Sequence, residues 1–416
     1  MRPALLADPA APVGVLTLAN VRLFDGTGAG VRDDVSVRIE KGRITDVLDG
    51  SATADGQVVD LEGRFLMPGL IDSHAHVVAS ATVEPSEGAE PLLPAVTGHL
   101  VAAELQRALA MGITTIRDVG SFGDVMFEVR QAMRYGAFNG PRLLVSGRII
   151  SPTSPGGRHF DGMYREADGP DEMRKAAREQ VRRGADFVKI MTTGARSVEL
   201  ENPDSPQVTQ EELGALVDEA HRLGYRVAAH CEGLEGTAMA IEAGVDTVEH
   251  GFNLHKRPEL LGKLARRNGV LVPTLSFLED IAATRSDAWS PHLVERGRHN
   301  VEQARLTLRA AVESGVSVAM GYDSRPEHLA ASELGLMVEA GMTTEHALVS
   351  ATAVGALALG LEDVVGTVEP GKLADLLILE ADPTEDISIL VDPGSVHAVY
   401  RNGQLVSPLR KPGSDL

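Results

Sequence analysis

Cysteine is almost missing from this chain: Cys231 stands alone among 416 residues. No internal disulfide can form, and no thiolate metal site can be assembled. Aromatic residues are scarce, at 4%, which removes the stacking platforms that single-stranded nucleic acid requires. Basic residues are outnumbered, 39 Lys and Arg against 59 Asp and Glu, for a formal charge of −20. Polyanions are bound through clustered cations, so no nucleic-acid partner is expected. No stretch reaches the ~20 uninterrupted apolar residues of a membrane helix. The opening "MRPALLADPAAPVGVLTLANVRL" also lacks a basic segment followed by a long apolar one. The absences together predict a soluble, cytoplasmic protein with a small-molecule substrate, no membrane partner and no secretory leader.

What is present is regular. Residues 15–62 hold short alternating segments, "VLTLANVRLFDG", "DVSVRIEKGRITDVLDG" and "QVVDLEGR". Each is bounded by Gly, Asp or Asn, the pattern of small antiparallel strands. Similar texture returns only in "GTVEPGKLADLLILEADP" and "VHAVYRNGQLV", so the two ends are expected to complete one small β-sandwich domain. Between them, eight strand candidates alternate with helices: "RFLMPGLIDSHAH", "ITTIRDVG", "PRLLVSGRII", "ADFVKIMTTG", "RVAAHCEG", "DTVEHGF", "GVLVPTLS" and "VSVAMGYDS". Thr209 and Glu212 form a capping-box signature at one helix start, and most helical segments end in Gly. Eight strand–helix units predict an α/β fold, a (β/α)₈ TIM barrel. An open doubly wound sheet is the alternative, but no G-x-G-x-x-G follows the first strand. The expected boundaries are residues 1–65 and 364–416 for the two parts of the sandwich and 66–363 for the barrel.

Catalytic groups of such a barrel lie at the C-terminal strand ends. Strand one ends on His74 and His76, strand four on Lys189, strand five on His230, strand six on His250 and strand eight on Asp323. Any one of these alone is more simply a hydrogen-bonded structural residue or turn chemistry. Six on one predicted rim suit Zn²⁺ or a similar divalent ion, which prefers imidazole and carboxylate ligands. His221 and His346 in helices, and His292 and His299 in a later insertion, share no such position and read as surface or packing residues. Lys189 has two readings. It is a salt-bridged lysine inside the barrel, or its amine has reacted with carbon dioxide to give a carbamate that bridges two metals.

The ordered set "GLIDSHAH", "FVKIM", "AAHCEG", "VEHG" and "GYDS", with "GTVEPGKLADLLIL" returning to the sandwich, resembles the amidohydrolase superfamily over nearly the whole chain. "GPRLLVSGRIISPT" and "EAHRLGYRVAAH" are similar to its imidazolonepropionase-like and dipeptidase-like (prolidase-like) branch. The resemblance implies that His74, His76 and Asp323 hold one metal and His230 and His250 a second, with carboxylated Lys189 as the bridge. The implied cofactors are two divalent ions, Zn²⁺ foremost, and the carbon dioxide-derived group on Lys189. A hydroxide shared by the metals would then attack a carbonyl, and Asp323 would carry the proton to the leaving amine. Subunit association, giving a homo-oligomer, is usual in the family.

The implied reaction is hydrolysis of an amide bond in a dipeptide or N-acyl amino acid. Hydrolysis of a non-peptide amide, carbamate or urea is the alternative, and a mononuclear deaminase or cyclic-imidate hydrolase is a third, opposed by Lys189. Relatives often carry Tyr or His two residues after the fifth-strand histidine, where this chain has Glu232. A free carboxylate there would favour a cationic substrate, so a substrate carboxylate would have to be caught elsewhere. Arg158 and His159 in "PGGRHFDG" are the first candidates, in a loop that reads equally well as plain solvated loop. Tyr164 and Arg196 are further substrate-side candidates. Cys231 points away from His230 along the strand and reads as a small buried residue.

Overall fold

The computed structural model describes residues 14–50, 56–81, 92–282, 290–324 and 326–407. The opening stretch read above for a leader lies, as far as residue 13, outside the described residues. Among the described residues no helix is long and apolar enough to cross a membrane.

Both ends of the chain build one sheet. Its order runs Gln404–Ser407, Val396–Arg401, Leu376–Leu379, Phe65–Pro68, Val15–Phe24, Val31–Glu40 and Arg43–Asp49, with Gln57–Asp60 paired alongside Val15–Phe24. The N- and C-terminal parts meet where Phe65–Pro68 lies antiparallel to Leu376–Leu379, Met67 opposite Leu377. The alternating pattern buries Leu18, Val35, Val37, Ile39, Leu66, Leu376 and Ile378 in a core separate from the barrel's. The fold is thus a (β/α)₈ barrel with a terminal β-sandwich.

The segment "RFLMPGLIDSHAH" reads as one strand, but the structure divides it. Phe65–Pro68 belongs to the terminal sheet and Leu70–Ala75 opens the barrel. Between them Gly69 passes so close to Thr114 that a Cβ there would come within 2.3 Å of its side chain. The Gly69 N–H donates back to the Asp375 carbonyl (2.9 Å), and only glycine fits this crossing between two sheets. "PRLLVSGRII" is divided too, into Arg142–Val145 and Ile149–Ser151. At the break, backbone bonds leave the ladder: Arg148 N–H donates to the Gln180 side chain (3.1 Å).

The remaining barrel strands are Ile113–Asp118, Val188–Met191, Val227–Cys231, Thr247–His250, Val270–Val272 and Ser317–Val318, all parallel to their neighbours. Two ladders of three and seven strands are joined into a closed barrel by single bonds. Asp186 N–H donates to Val145 O (2.9 Å), Ser73 N–H to Met320 O (3.0 Å) and Asp323 N–H to His74 O (2.9 Å). Closure therefore sets the first and eighth strands, both bearing candidate ligands, against each other.

The helices follow local chemistry. Pro170–Arg183 has Pro in its first turn beside Asp171 and Glu172, ends on Arg182 and Arg183, and stops at left-handed Gly184. Each choice suits the helix dipole or the cap. Its buried residues, Met173, Ala176, Ala177 and Gln180, fall at helical spacing on one face. The Thr209–Glu212 capping box is formed in both directions, at 3.2 and 2.8 Å.

One buried ion pair joins barrel to terminal sheet. Arg142, fully buried, donates to Asp375, whose other oxygen accepts the Asn402 N–H (2.7 Å). Asp375→Ala removes the carboxylate that faces the buried Arg142 cation, and breaking such a buried pair costs about 3–5 kcal/mol. The expected outcome is a clear drop in the urea midpoint relative to wild type; an unchanged midpoint would show that the pair does not hold the two parts together.

Candidate metal centre

His74 lies inside the first barrel strand and His76 one residue beyond it. The second histidine is already half out of the ladder, with Nδ1–H donating to the Gly120 carbonyl at 2.9 Å. His230 is in strand Val227–Cys231 and His250 ends strand Thr247–His250. Asp323 follows the short eighth strand by five residues, in the segment that crosses over His74. Lys189 is the second residue of its strand, not the last.

The four histidines and Asp323 meet. Asp323 Oδ1 is 3.5 Å from His74 Nε2 and 3.7 Å from His76 Nε2, and Oδ2 is 3.9 Å from His250 Nδ1. Ligand atoms of His74, His76 and Asp323 all fall within 4.8 Å of one another. The ring of His250 sits 5.0 Å from that of His74 and 4.6 Å from that of His230.

The ring hydrogen bonds decide which nitrogens remain free. A carboxylate or carbonyl can only accept, so the facing ring nitrogen must carry the proton. His74 Nδ1 donates to Glu249 (2.7 Å) and His230 Nε2 to the Gly194 carbonyl (3.3 Å). The lone pairs therefore reside on Nε2 of His74 and His76 and on Nδ1 of His230. His250 Nδ1 pairs with the Thr274 hydroxyl (2.7 Å). His74 Nε2 is buried without a hydrogen-bond partner. A buried lone pair left open at the centre of four imidazoles and a carboxylate fits a divalent metal, whose histidine ligands are oriented in this way by their second nitrogen.

Electrostatics agree. Burial, then the Lys189 amine, hold His74 and His230 neutral, with His230 pushed down to about 3. His250 is held well below its ordinary value by burial and by its two imidazole neighbours. Neutral imidazole is the ligating form. Burial lowers Lys189 to about 8, against the raising effect of Glu249 and Asp323. Among the described residues the structure offers the Lys189 amine no hydrogen-bond partner. Burial also pushes the Asp323 carboxyl well above its ordinary range, while Lys189 pulls it back.

Three residues here hold positive φ without being glycine: His250 (69°), Thr274 (48°) and Asp323 (52°). For β-branched Thr274 this is a true outlier. Each such residue costs on the order of 1–3 kcal/mol and persists only where its surroundings over-determine it. Here the strain aims His250, its hydroxyl partner and Asp323 at one point.

The substrate-side candidates separate. Glu232 is buried, and its Oε2 lies 3.1 Å from Arg196 Nε and accepts the Arg196 backbone N–H at 3.0 Å. Its carboxyl is pushed up to about 7 by burial, with Arg196 opposing. The carboxylate is thus paired with a buried guanidinium, which also holds Asp204 at 2.8 Å, and is not the free anion expected from sequence. Oε1 also lies 3.5 Å from His230 Nε2. Tyr164 is buried at the start of strand Tyr164–Glu166, its hydroxyl pKa raised by burial and then by Glu201 and Glu232. Arg158 and His159 are exposed on the single turn Pro155–His159, and among the described residues no hydrogen bond ties either to the histidine cluster. Cys231 is buried and its thiol is pushed up to about 12 by burial.

Sequence reading missed Glu249, Thr274 and Glu201. Glu201 accepts Gly156 N–H and Ala195 N–H, both at 2.7 Å, and so ties the loop after strand three to the loop after strand four. Glu249 orients His74 and is paired through its other oxygen with Arg117 (2.8 Å), all three nearly or fully buried. The available signal for Glu249 was charge inside two largely apolar strands, Arg117 beside Asp118 in "TTIRDV" and Glu249 beside His250 in "DTVEHG".

The family described as "Amidohydrolase family" matches residues 65–406. Ochratoxinase of Aspergillus niger is 31% identical over 366 residues, 82% of this chain and 75% of its own. Its crystal structure covers 97% of each chain with a TM-score of 0.85. A crystal structure of a Xaa-Pro dipeptidase with methionine bound in the active site covers 94% of this chain and 99% of its own, with a TM-score of 0.84 and 31% identity. Imidazolonepropionase of Symbiobacterium thermophilum is 26% identical over 439 residues, 95% of this chain and 90% of its own.

Glu249→Gln removes the charge that orients His74. Loss of such an outer partner typically weakens metal binding by about 10–100-fold, read here as zinc transfer to a competing chelator. Wild-type zinc affinity in the folded variant would remove Glu249 from the site's support.

Proposed function

The chain belongs to the amidohydrolase family, and we propose that it is a binuclear metal-dependent hydrolase that cleaves the amide bond of a dipeptide or N-acyl amino acid. The observation that carries the proposal is Lys189, a buried amine with its pKa lowered to about 8 and no hydrogen-bond partner among the described residues, amid four imidazoles. An unpaired buried ammonium is costly. A deprotonated amine instead can take up carbon dioxide and become an anion suited to two cations. His74, His76 and Asp323 would hold one ion and His230 and His250 the other, with carboxylated Lys189 between them. Two divalent ions, Zn²⁺ foremost, would supply a Lewis acid and a water of lowered pKa.

The chain's own groups do the rest. Asp323, held against His74 and His76, takes a proton and delivers it to the leaving nitrogen. His74, anchored by Glu249, and His250, anchored by Thr274, keep the donor set rigid. The Glu232–Arg196 pair bears on substrate class. With its charge offset by Arg196, Glu232 does not repel a substrate carboxylate, which supports a dipeptide or N-acyl amino acid. Tyr164, beside Glu201, lies on the same substrate side. Arg158 and His159 at the exposed turn are the groups that would meet the far end of a longer substrate. Similarity to a Xaa-Pro dipeptidase structure favours this reading. Similarity to ochratoxinase favours a second, hydrolysis of a non-peptide amide.

The test combines metal analysis with a substrate screen. About two ions per chain are expected, with dipeptides and N-acyl amino acids hydrolysed ahead of non-peptide amides, carbamates and ureas. Lys189→Ala should lower activity roughly thousandfold, the several kcal/mol that metal assistance contributes, and reduce the metal content. One ion per chain together with an unmodified Lys189 in a metal-loaded crystal would sink the binuclear reading. Asp323→Asn should cost on the order of 10²–10⁴ in kcat while the metal stays bound; an undiminished kcat would take the proton-transfer role from Asp323.

A further inference from the structure

The opposite mouth of the barrel, below the N-terminal strand ends, holds a cavity of about 230 Å³. Its lining includes residues just ahead of strands four and five, among them Asp186, Phe187, Leu223, Tyr225 and Arg226, and it reaches Arg117 inside the barrel. A water molecule's share of liquid volume is about 30 Å³, so the space suits an organic molecule of roughly eight or nine heavy atoms.

The charges in the cavity are uneven. Asp186 is already engaged, by Arg130 and by the Val145 N–H at 2.9 Å. Arg226 is held more loosely. Its Nε is buried without a hydrogen-bond partner, 3.8 Å from Asp246 Oδ1, while His221 (2.9 Å) and the Val227 N–H (2.8 Å) both bond to the other oxygen, Oδ2. Arg117 stacks over Phe187 at 5.3 Å. It donates to Ser73 O, Thr247 Oγ1 and Glu249 Oε1, which uses three of the five N–H groups that a guanidinium carries. Two cations with unused donors and walls of Phe187, Tyr225 and Leu223 fit a molecule with an anionic end and an apolar body.

Arg117 also leads upward. Its Nη2 holds Glu249 at 2.8 Å, and Glu249 holds the ligand His74 at 2.7 Å. We infer that this cavity is a second small-molecule site, for a monocarboxylate with a compact apolar body, whose occupancy is transmitted to the metal ligands through Arg117 and Glu249. The carboxylate pairs with Arg226 and the free N–H groups of Arg117, and the body packs on Phe187 and Tyr225. Drawing Arg117 toward this second anion loosens its hold on Glu249, and with it the orientation of His74.

Calorimetric titration of the zinc-loaded full chain with benzoate tests the site. Saturable one-to-one binding is expected, weakened about tenfold or more in Arg226→Ala, the loss of a charge-assisted hydrogen bond. Leu223→Trp, at the exposed rim, should obstruct entry and weaken it likewise. Binding should persist in His230→Ala, which separates it from carboxylate capture at the metal centre. Absence of binding, binding insensitive to both cavity variants, loss in His230→Ala, or inorganic phosphate binding as tightly as benzoate would each overturn the proposed site. Saturating benzoate should change the apparent zinc affinity by about fivefold or more, within the usual range of such coupling, in wild type but not in Arg226→Ala. An unchanged zinc affinity with benzoate bound would overturn the link to the metal ligands.

Discussion

The site hangs on one buried carboxylate. Glu249 lies between the guanidinium of Arg117 and the imidazole of His74, 2.8 and 2.7 Å away, with Thr247 on the same oxygen as Arg117. Neither ion could be left alone at this depth, because removing one partner of such a pair exposes the full desolvation cost of the other. Together they tie strands one, two and six across the barrel, since Arg117 also holds the Ser73 carbonyl. They also select the tautomer of His74, which leaves its Nε2 lone pair facing Asp323. A structural ion pair and the orientation of a metal ligand are here the same set of hydrogen bonds.

Around that centre the backbone is held in conformations it would not choose. His250, Thr274 and Asp323 all adopt positive φ, and each is fixed by something rigid. Asp323 N–H bonds to the His74 carbonyl, while His250 and Thr274 bond to each other. Strain placed at strand ends and sustained by a closed barrel is how a rigid scaffold aims side chains from different strands at one point. The terminal sheet contributes from outside, through the Arg142–Asp375 pair and the tight passage at Gly69 that sets where the first strand begins.

The substrate side follows a different logic. Glu232, Arg196, Glu201 and Tyr164 form a buried layer beyond His230 in which the charge of Glu232 is offset by Arg196. Among the described residues Glu201 meets no side-chain cation and instead satisfies two backbone N–H groups from neighbouring loops. Such a layer shapes a pocket by holding loops at fixed distance. Arg158 and His159 stand outside it, on an exposed turn whose position depends on Glu201 holding Gly156.

Much was legible beforehand because it rests on local chemistry. Period-two alternation, Gly-terminated helices and eight repeats of strand and helix announced the barrel. The positions of His74, His76, His230, His250 and Asp323 near strand ends place them on one rim from the amino-acid order alone. Strand boundaries were less legible. Whether "RFLMPGLIDSHAH" is one strand or two depends on Thr114 lying against Gly69, a contact 45 positions away in sequence. The state of Glu232 was likewise hidden, since a carboxylate reads as an anion until a guanidinium from another loop is found against it. Glu249 and Arg117 were visible only as charges inside largely apolar strands. The amino-acid order by itself determined which elements form and which residue types reach the rim, because both follow from neighbours along the chain. Only the closed barrel decided which buried charge meets which, because those pairings join strands that sequence proximity never brings together.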